Sequence, residues 1–191
     1  MAHSIELLPD EDSDAWLRQR WAALADVGLS SAQRIRSATN RPHVTLLAAR
    51  HIAASADAAL APTAQRLPLK ALIGAPIVFG HGSRHVLALL VVPNTELLSI
   101  HAQVARTVRG HTVHPDDIAD GLDAPSTFDH VDPGAWTPHI TLARHLTYHQ
   151  VGEALATLES LGRPDKQCTF TAVRRWDPDA KTEHVVAGRA C

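Results

Sequence analysis

Two short segments of this chain carry the side chains best suited to chemistry. Residues 42–46 read Pro-His-Val-Thr-Leu and residues 138–142 read Pro-His-Ile-Thr-Leu, so each segment places a histidine two positions before a threonine. A bare His-x-Thr pattern arises by chance about once in a chain of this composition, whereas the five-residue pattern arises in roughly one such chain in a thousand. Its occurrence twice therefore indicates a duplicated functional motif.

The four polar side chains of the two motifs suit the chemistry of a phosphodiester. Near neutral pH, one imidazole of the pair His43 and His139 can accept a proton from an attacking hydroxyl or water, while the other donates a proton to the leaving oxygen. A ribose 2′,3′-cyclic phosphate needs both transfers, on opposite sides of its phosphorus. The hydroxyls of Thr45 and Thr141 can donate hydrogen bonds to the non-bridging oxygens, where negative charge sits. These steps need no Lewis acid, so we expect neither a metal ion nor a cofactor.

Each motif opens a predicted strand, at residues 43–48 and 139–143. Alternate residues of a strand point to the same face, so the histidine and threonine of one motif point together while the apolar residues between and after them point into a core. Two such strands related by a pseudo-twofold axis would aim both histidines and both threonines at one groove.

Two arginines follow the motif strands at corresponding places, Arg50 and Arg144. A guanidinium can hold a phosphate, so both are candidate substrate-binding residues. Strict alternation turns Arg144 away from its histidine, so a solvated or structural role stays open. For Trp136 and Trp176 the alternatives are base stacking and packing at the edge of the core. For the arginine pair at 174–175 the alternatives are a solvated surface patch and a contact to phosphate.

The predicted elements around the motifs occur in the same order in both halves of the chain. The first half has a strand at 4–8, a helix capped by Ser13 and ended at Gly28, the strand at 43–48, a helix at 52–66 and a strand pair within 69–79. The second half has a strand at 86–92, a helix capped by Asn94 or Thr95, the strand at 139–143, a helix around 151–161 and a closing strand pair, 168–173 with 184–186. We therefore predict an α+β fold in one bilobal domain, with pseudo-twofold-related lobes at about 1–80 and 84–191 around a central groove. The chain could cross between the lobes, and the polar stretch at 110–136 is predicted as a loop.

Composition limits the classes of partner. The net charge of −2, counted with neutral histidines, lacks the basic excess of proteins that grip long nucleic acid, so we expect a short substrate. The thirteen histidines invite a metal-site interpretation, above all at His111 and His114. No third ligand lies near that pair at zinc-like spacing, so we interpret it as loop surface.

The cysteines and the apolar runs indicate where the protein works. Its two cysteines, Cys168 and Cys191, match neither a zinc spacing nor a disulfide framework, which predicts a reducing, cytoplasmic setting. The first residues are acidic where a signal peptide would be basic. The longest apolar run, residues 86–92, ends at Pro93 and is far too short to span a membrane, so we expect no membrane association.

The duplicated motif resembles that of the two-histidine (2H) phosphoesterase superfamily, in particular its bacterial 2′-5′ RNA ligase and cyclic phosphodiesterase branch. That family has two His-hydrophobic-Thr/Ser-hydrophobic motifs, one in each lobe, which His43 with Thr45 and His139 with Thr141 match. The resemblance implies a bilobal α+β fold and metal-independent chemistry on 2′-linked or 2′,3′-cyclic phosphates. The expected partners are RNA ends with a 2′,3′-cyclic phosphate, 2′-5′-linked oligonucleotides or small cyclic nucleotides, bound by a monomer.

Several activities fit these residues equally well. The enzyme could open a 2′,3′-cyclic end, cleave a 2′-5′ linkage, join RNA halves by the reverse reaction, or hydrolyse a cyclic ADP-ribose phosphate. A module of the same fold that binds RNA ends or nucleotides without turnover is a second hypothesis, and a histidine-rich metal protein is a third. The two intact motifs favour the enzyme.

Overall fold

The structure, a computed structural model, describes residues 2–82, 84–113, 126–163 and 165–190. Within them the strands are β1 (His3–Pro9), β2 (Val44–Ala49), β3 (Leu69–His81), β4 (Arg84–Val91), β5 (His139–Leu146), β6 (Lys166–Asp177) and β7 (Thr182–Gly188). The α-helices are α1 (Glu11–Asp26), α2 (Ala56–Leu60), α3 (Thr95–Val108) and α4 (Tyr148–Ser160). The predicted α+β fold is confirmed. None of the helices in these ranges is long and apolar enough to cross a membrane.

All seven strands belong to one antiparallel sheet, whose order is β2-β1-β6-β3-β4-β5, with β7 also paired to β6. Strand β6 joins the two halves of the sheet. One edge of β6 pairs with β1, and the other pairs first with β3 and then with β7. The lobe boundary expected near residues 80–84 falls in the turn between β3 and β4, and β6 returns the chain to the side of β1.

The strands at the two ends of this order, β2 and β5, contact each other. The sheet therefore bends until its ends meet, and those ends are the two motif strands. The four apolar residues predicted to point inward from them are fully buried, namely Val44, Leu46, Ile140 and Leu142. Burial of these side chains turns the histidine and threonine of each motif toward the opposite face.

Each motif strand also carries a β-bulge directly after its threonine. The extra residue is Leu46 in β2 and Leu142 in β5. The threonine of β2 pairs with Glu6 of β1, and the threonine of β5 pairs with Ala88 of β4. The pseudo-twofold relation therefore extends to the register of the neighbouring strands, and bulges of this kind often lie beside active sites.

Helix α1 begins earlier than predicted. Asp10, not Ser13, is its N-cap, because the Asp10 carboxylate accepts a hydrogen bond of 2.9 Å from the Ser13 backbone N–H. Helical spacing predicts an apolar face of Trp16, Leu17, Trp21 and Leu24. The last three of these side chains are buried, and Trp16 packs half-buried against the core. The chain leaves the helix through Gly28, whose φ of 83° suits glycine.

Other elements differ from the predictions in length. In place of the helix predicted at 52–66, the structure has the short helix α2 followed by a 3₁₀ helix, Ala61–Arg66. Pro62 lies near the start of the 3₁₀ helix. The predicted strand pair within 69–79 is one long strand, β3, whose pairing shifts between Ile73 and Pro76 because proline has no N–H to donate. The closing pair is confirmed as β6 and β7, both longer than predicted. Of the predicted loop, residues 114–125 lie outside the described ranges, and Asp129–Val131 forms a 3₁₀ turn.

Candidate active site

The two motif histidines are held in the same way. The Nδ1 atom of His43 lies 2.7 Å from the backbone oxygen of Arg41, and Nδ1 of His139 lies 2.7 Å from the backbone oxygen of Thr137. A carbonyl oxygen can only accept, so Nδ1 of each ring carries the proton in this hydrogen bond. The Nε2 atoms of both rings are therefore the atoms left to exchange protons with a substrate. Both rings are half-buried.

Two tryptophans hold the motif strands from the side. The indole Nε1 of Trp136 donates to the backbone oxygen of Thr45 at 2.8 Å, and that of Trp21 donates to the backbone oxygen of Thr141 at 3.0 Å. Each indole comes from the half of the sequence that lacks the motif it contacts. Trp136 is also stacked on His101, with ring centroids 3.9 Å apart, and packs against the core. The structure thus gives Trp136 a positioning role at the edge of the core, which was one of its two predicted alternatives.

Backbone contacts between the halves add to this arrangement. Ser31 forms an isolated β-bridge with Ala143, and the N–H of Arg144 donates to the backbone oxygen of Ser30 at 3.0 Å. The segment after α1 thereby borders β5, so the first half of the chain contacts the second motif strand through its backbone as well as through the Trp21 side chain.

A buried carboxylate lies beside His43. Oε1 of Glu6 is 3.5 Å from His43 Nε2, and Oε2 accepts a 2.7 Å hydrogen bond from Nε of Arg174. Ser4 donates to Oε1 at 2.5 Å. Burial by itself raises the pKa of Glu6, but the charges of His43 and Arg174 and the hydrogen bonds from Ser4 and Arg174 outweigh it, so the net pKa is lowered. Glu6 is therefore ionised at neutral pH.

His139 lies in a different environment. The ring of Phe79 packs against it with centroids 4.6 Å apart. Burial is the largest cause that lowers the pKa of His139; the Thr137 carbonyl raises it, and the positive charges of Arg144, His43 and His130 lower it further. This histidine is thus held toward its neutral form, which is the form that accepts a proton.

The arginines predicted as candidates fall into two groups. Arg50 and Arg144 are exposed, and Arg144 is near enough to His139 to lower its pKa. By contrast, Arg174 and Arg175 are buried. Arg174 is bound to Glu6, and Arg175 makes hydrogen bonds of 2.6 and 3.0 Å to the carboxylate of Asp57, so neither is a solvated patch.

One grouping of potential metal ligands occurs in the described residues, and it lies away from the motifs: His3 with Asp177 and Asp179. One oxygen of Asp177 already accepts the backbone N–H groups of Asp179 and Ala180, and the other lies 3.6 Å from the Arg175 guanidinium. The His3 ring is 3.0 Å from Asp179, an ion-pair geometry. Asp177 and the Nε2 atom of His3 are therefore engaged with the protein, whereas the buried Nδ1 atom of His3 has no hydrogen-bond partner among the described residues.

The second metal candidate is only partly described. His111 makes a 2.9 Å hydrogen bond to the hydroxyl of Ser55, and His114 lies outside the described residues.

Sequence reasoning missed Glu6 and Trp21 as parts of this site. Glu6 lies between the apolar residues Ile5 and Leu7 of β1, and a charged residue in a mostly apolar predicted strand is the signal that could have found it. Trp21 falls on the apolar face of α1, where nothing in the spacing distinguishes it from a core residue.

The chain is similar to one known family and to solved structures of one protein. A family model described as the 2′-5′ RNA ligase superfamily matches residues 9–182, which include both motifs. A structure of Kluyveromyces marxianus Usb1 is similar with a TM-score of 0.47 and 11% identity over 97% of each chain. A structure of the same protein with uridine monophosphate has a TM-score of 0.50 and 11% identity, again over 97% of each chain, and shows a shared fold. A search of curated protein sequences found no match.

Proposed function

Because the chain belongs to the 2′-5′ RNA ligase superfamily, of the 2H phosphoesterase type, we propose that it acts on ribose 2′-linked or 2′,3′-cyclic phosphates. Membership of the family supports a phosphodiesterase-type enzyme activity in general. The proposal adds the kind of phosphodiester on which the enzyme acts, namely one at a ribose 2′ position. The proposed substrates are RNA ends with a 2′,3′-cyclic phosphate, 2′-5′-linked oligonucleotides or small cyclic nucleotides.

One observation carries this proposal. The two motif strands lie at opposite ends of the sheet order and yet contact each other, and each motif histidine has its Nδ1 bound to a carbonyl oxygen. Two imidazoles whose Nδ1 atoms are bound and whose Nε2 atoms can exchange protons, on two strands that meet, are the proposed acid–base pair for an in-line displacement at phosphorus. Arg50 directly follows β2 and Arg144 lies on β5; both are exposed, and their guanidinium groups are proposed contacts for the substrate.

The reaction has a simple course at a 2′,3′-cyclic phosphate. One Nε2 takes a proton from water as the water oxygen attacks phosphorus, and the other Nε2 protonates the ribose oxygen as its bond to phosphorus breaks. The hydroxyls of Thr45 and Thr141 are the proposed donors to the non-bridging oxygens. The reverse course, with a ribose hydroxyl in place of water, joins two ends.

A substrate panel tests the proposed function. The pure protein is incubated with a chelator and with a 2′,3′-cyclic mononucleotide, a 2′-5′-linked dinucleotide, RNA halves and a cyclic ADP-ribose phosphate. We expect turnover of at least one compound at an undiminished rate, because the four motif side chains supply proton transfer and hydrogen bonds without a Lewis acid. Activity lost to the chelator and restored by a divalent ion would overturn the metal-independent mechanism. Tight binding of the panel without any product would instead identify a binding module.

A further inference from the structure

The cluster of His3, Asp177 and Asp179 is built by the ends of two paired strands. His3 is the first residue of β1 and Asp177 the last residue of β6, and the antiparallel pairing of these strands sets their ends side by side. Asp179 lies in the turn between β6 and β7. One ligand atom of each of the three residues lies within 4.8 Å of the other two. Along β1 the cluster is three residues, or about 10 Å, from Glu6, so it is separate from the candidate active site.

The two ring nitrogens of His3 have different surroundings. Nε2 lies 3.0 Å from Oδ2 of Asp179, and since a carboxylate oxygen can only accept, Nε2 carries the proton of this hydrogen bond. In the neutral ring Nδ1 is then an acceptor without a proton. It is buried and has no hydrogen-bond partner among the described residues, in a side chain that is 2% exposed. A buried acceptor without a donor is unfavourable, which points to a ligand at this atom.

The Nδ1 atom of His3 faces a second acceptor, because Oδ1 of Asp177 lies 4.0 Å from it. This separation is longer than an N–H···O hydrogen bond of about 2.7–3.2 Å, so a shared proton does not join the two atoms. A zinc ion lies about 2.0–2.2 Å from an imidazole nitrogen or a carboxylate oxygen, so it holds two such ligands about 3.4 Å apart in tetrahedral geometry and about 4.2 Å apart when it lies on the line between them. The observed separation is within the range that one metal ion bridges.

Hydrogen bonds orient both groups. Oδ1 of Asp177 accepts the backbone N–H groups of Asp179 at 3.0 Å and of Ala180 at 3.1 Å, which fix its carboxylate. The Asp179 carboxylate in turn accepts from Nε2 of His3. Histidines that bind metals typically donate their second ring nitrogen to a carboxylate in this way, which fixes the tautomer and directs the other nitrogen at the ion. The Asp179 side chain is 79% exposed, so an ion and its water ligands can enter from this side.

The charge around the cluster favours a divalent cation. The guanidinium of Arg175 lies 3.6 Å from Oδ2 of Asp177 and is also bound to the carboxylate of Asp57, at 2.6 and 3.0 Å. These contacts join three carboxylates, those of Asp57, Asp177 and Asp179, to one guanidinium, which leaves an excess of two negative charges. Asp57 therefore offsets the charge of Arg175, and the other two carboxylates remain to attract an ion of charge +2.

We propose that His3 and Asp177 bind a divalent transition-metal ion such as Zn²⁺, through Nδ1 and the carboxylate, with Asp179 as the positioning residue and water in the remaining positions. An imidazole nitrogen beside carboxylate oxygens suits Zn²⁺ better than Mg²⁺ or Ca²⁺, which prefer oxygen ligands alone. The ion ties the start of β1 to the turn after β6, so it stabilises the fold and takes no part in the chemistry at the motifs. The site is independent of the proposed function.

Calorimetric titration of ZnCl₂ into the full-length protein, first treated with a chelator and dialysed, tests the site. We expect one saturable site per chain that His3→Ala abolishes. Asp177→Asn and Asp179→Asn keep the size of each side chain and remove its charge, and each is expected to weaken zinc binding about 10- to 100-fold. The matched control is His149→Ala, which removes an exposed histidine of α4 and leaves this binding unchanged.

Thermal unfolding gives a second readout. At a Zn²⁺ concentration about 100-fold above Kd, Tm is expected to rise by about 5–10 °C in the unmodified protein and by less in Asp177→Asn. Neither measurement uses turnover, so a failure of the proposed function leaves both intact. Zinc binding as tight in His3→Ala and Asp177→Asn as in the unmodified protein, or no saturable binding at all, would overturn the site. Should His3→Ala fail to fold, the two asparagine variants decide.

Discussion

Alanine at His43 or at His139 is expected to lower kcat by about 10²- to 10⁴-fold, because each variant removes one of the two proton transfers of the displacement. The measurement is kcat on a 2′,3′-cyclic mononucleotide, with circular dichroism to verify the fold. Both rings are half-buried and each makes one hydrogen bond to a backbone oxygen, so we expect little loss of stability in either variant.

The double variant distinguishes a concerted pair from two independent contributions. Groups that act as a unit are strongly non-additive, so the double variant should be little slower than either single variant. His149→Ala is the control, because His149 is an exposed histidine of α4 whose loss should leave kcat unchanged. Near-full activity in His43→Ala or His139→Ala would rule out the two-histidine mechanism.

Valine at Thr45 or at Thr141 is expected to lower kcat about a hundredfold or more, which corresponds to about 3 kcal/mol for loss of one donor to a developing charge. Valine has nearly the shape of threonine and also favours strands, so the motif strand should keep its place in the sheet. Each threonine is half-buried, and its backbone oxygen remains bound by a tryptophan indole in the variant.

Serine at the same two positions provides the matched comparison. It restores the hydroxyl without the methyl group, so Thr45→Ser and Thr141→Ser should recover most of the rate that valine removes. Melting temperatures of all four variants should lie close to that of the unmodified protein. A large fall in melting temperature together with normal specific activity would show that the threonines serve the fold.

The local elements of this protein are encoded in short stretches of sequence. The inward-facing residues of the motif strands follow from alternation, and the buried face of α1 follows from helical spacing. The errors lie at element ends and at proline. The N-cap of α1 is Asp10 and not Ser13 as predicted. Two strands were predicted on either side of Pro76, but the structure has one long strand whose pairing changes register there. A cap or a bulge depends on the one or two hydrogen bonds that are finally made, and neighbouring candidates differ by little in sequence.

The candidate site, like the fold, has one part that the sequence predicts and another that only the tertiary structure shows. The duplicated motif predicted four of its side chains and pointed to the family, because proton transfer and hydrogen bonding at phosphorus restrict the residue types that can serve and the strand period restricts their spacing. The partners that give these side chains their environments are far away in the chain. Glu6 meets Arg174 across 168 positions, and Trp21 meets the backbone of Thr141 across 120.

Such contacts leave no periodic signal, so only the tertiary structure shows that a buried carboxylate lies beside His43 while the ring of Phe79 packs against His139. The sequence by itself determined that two equivalent histidines exist. The tertiary structure decided that their surroundings differ, because the fold brings different charged and aromatic groups within a few ångströms of each ring.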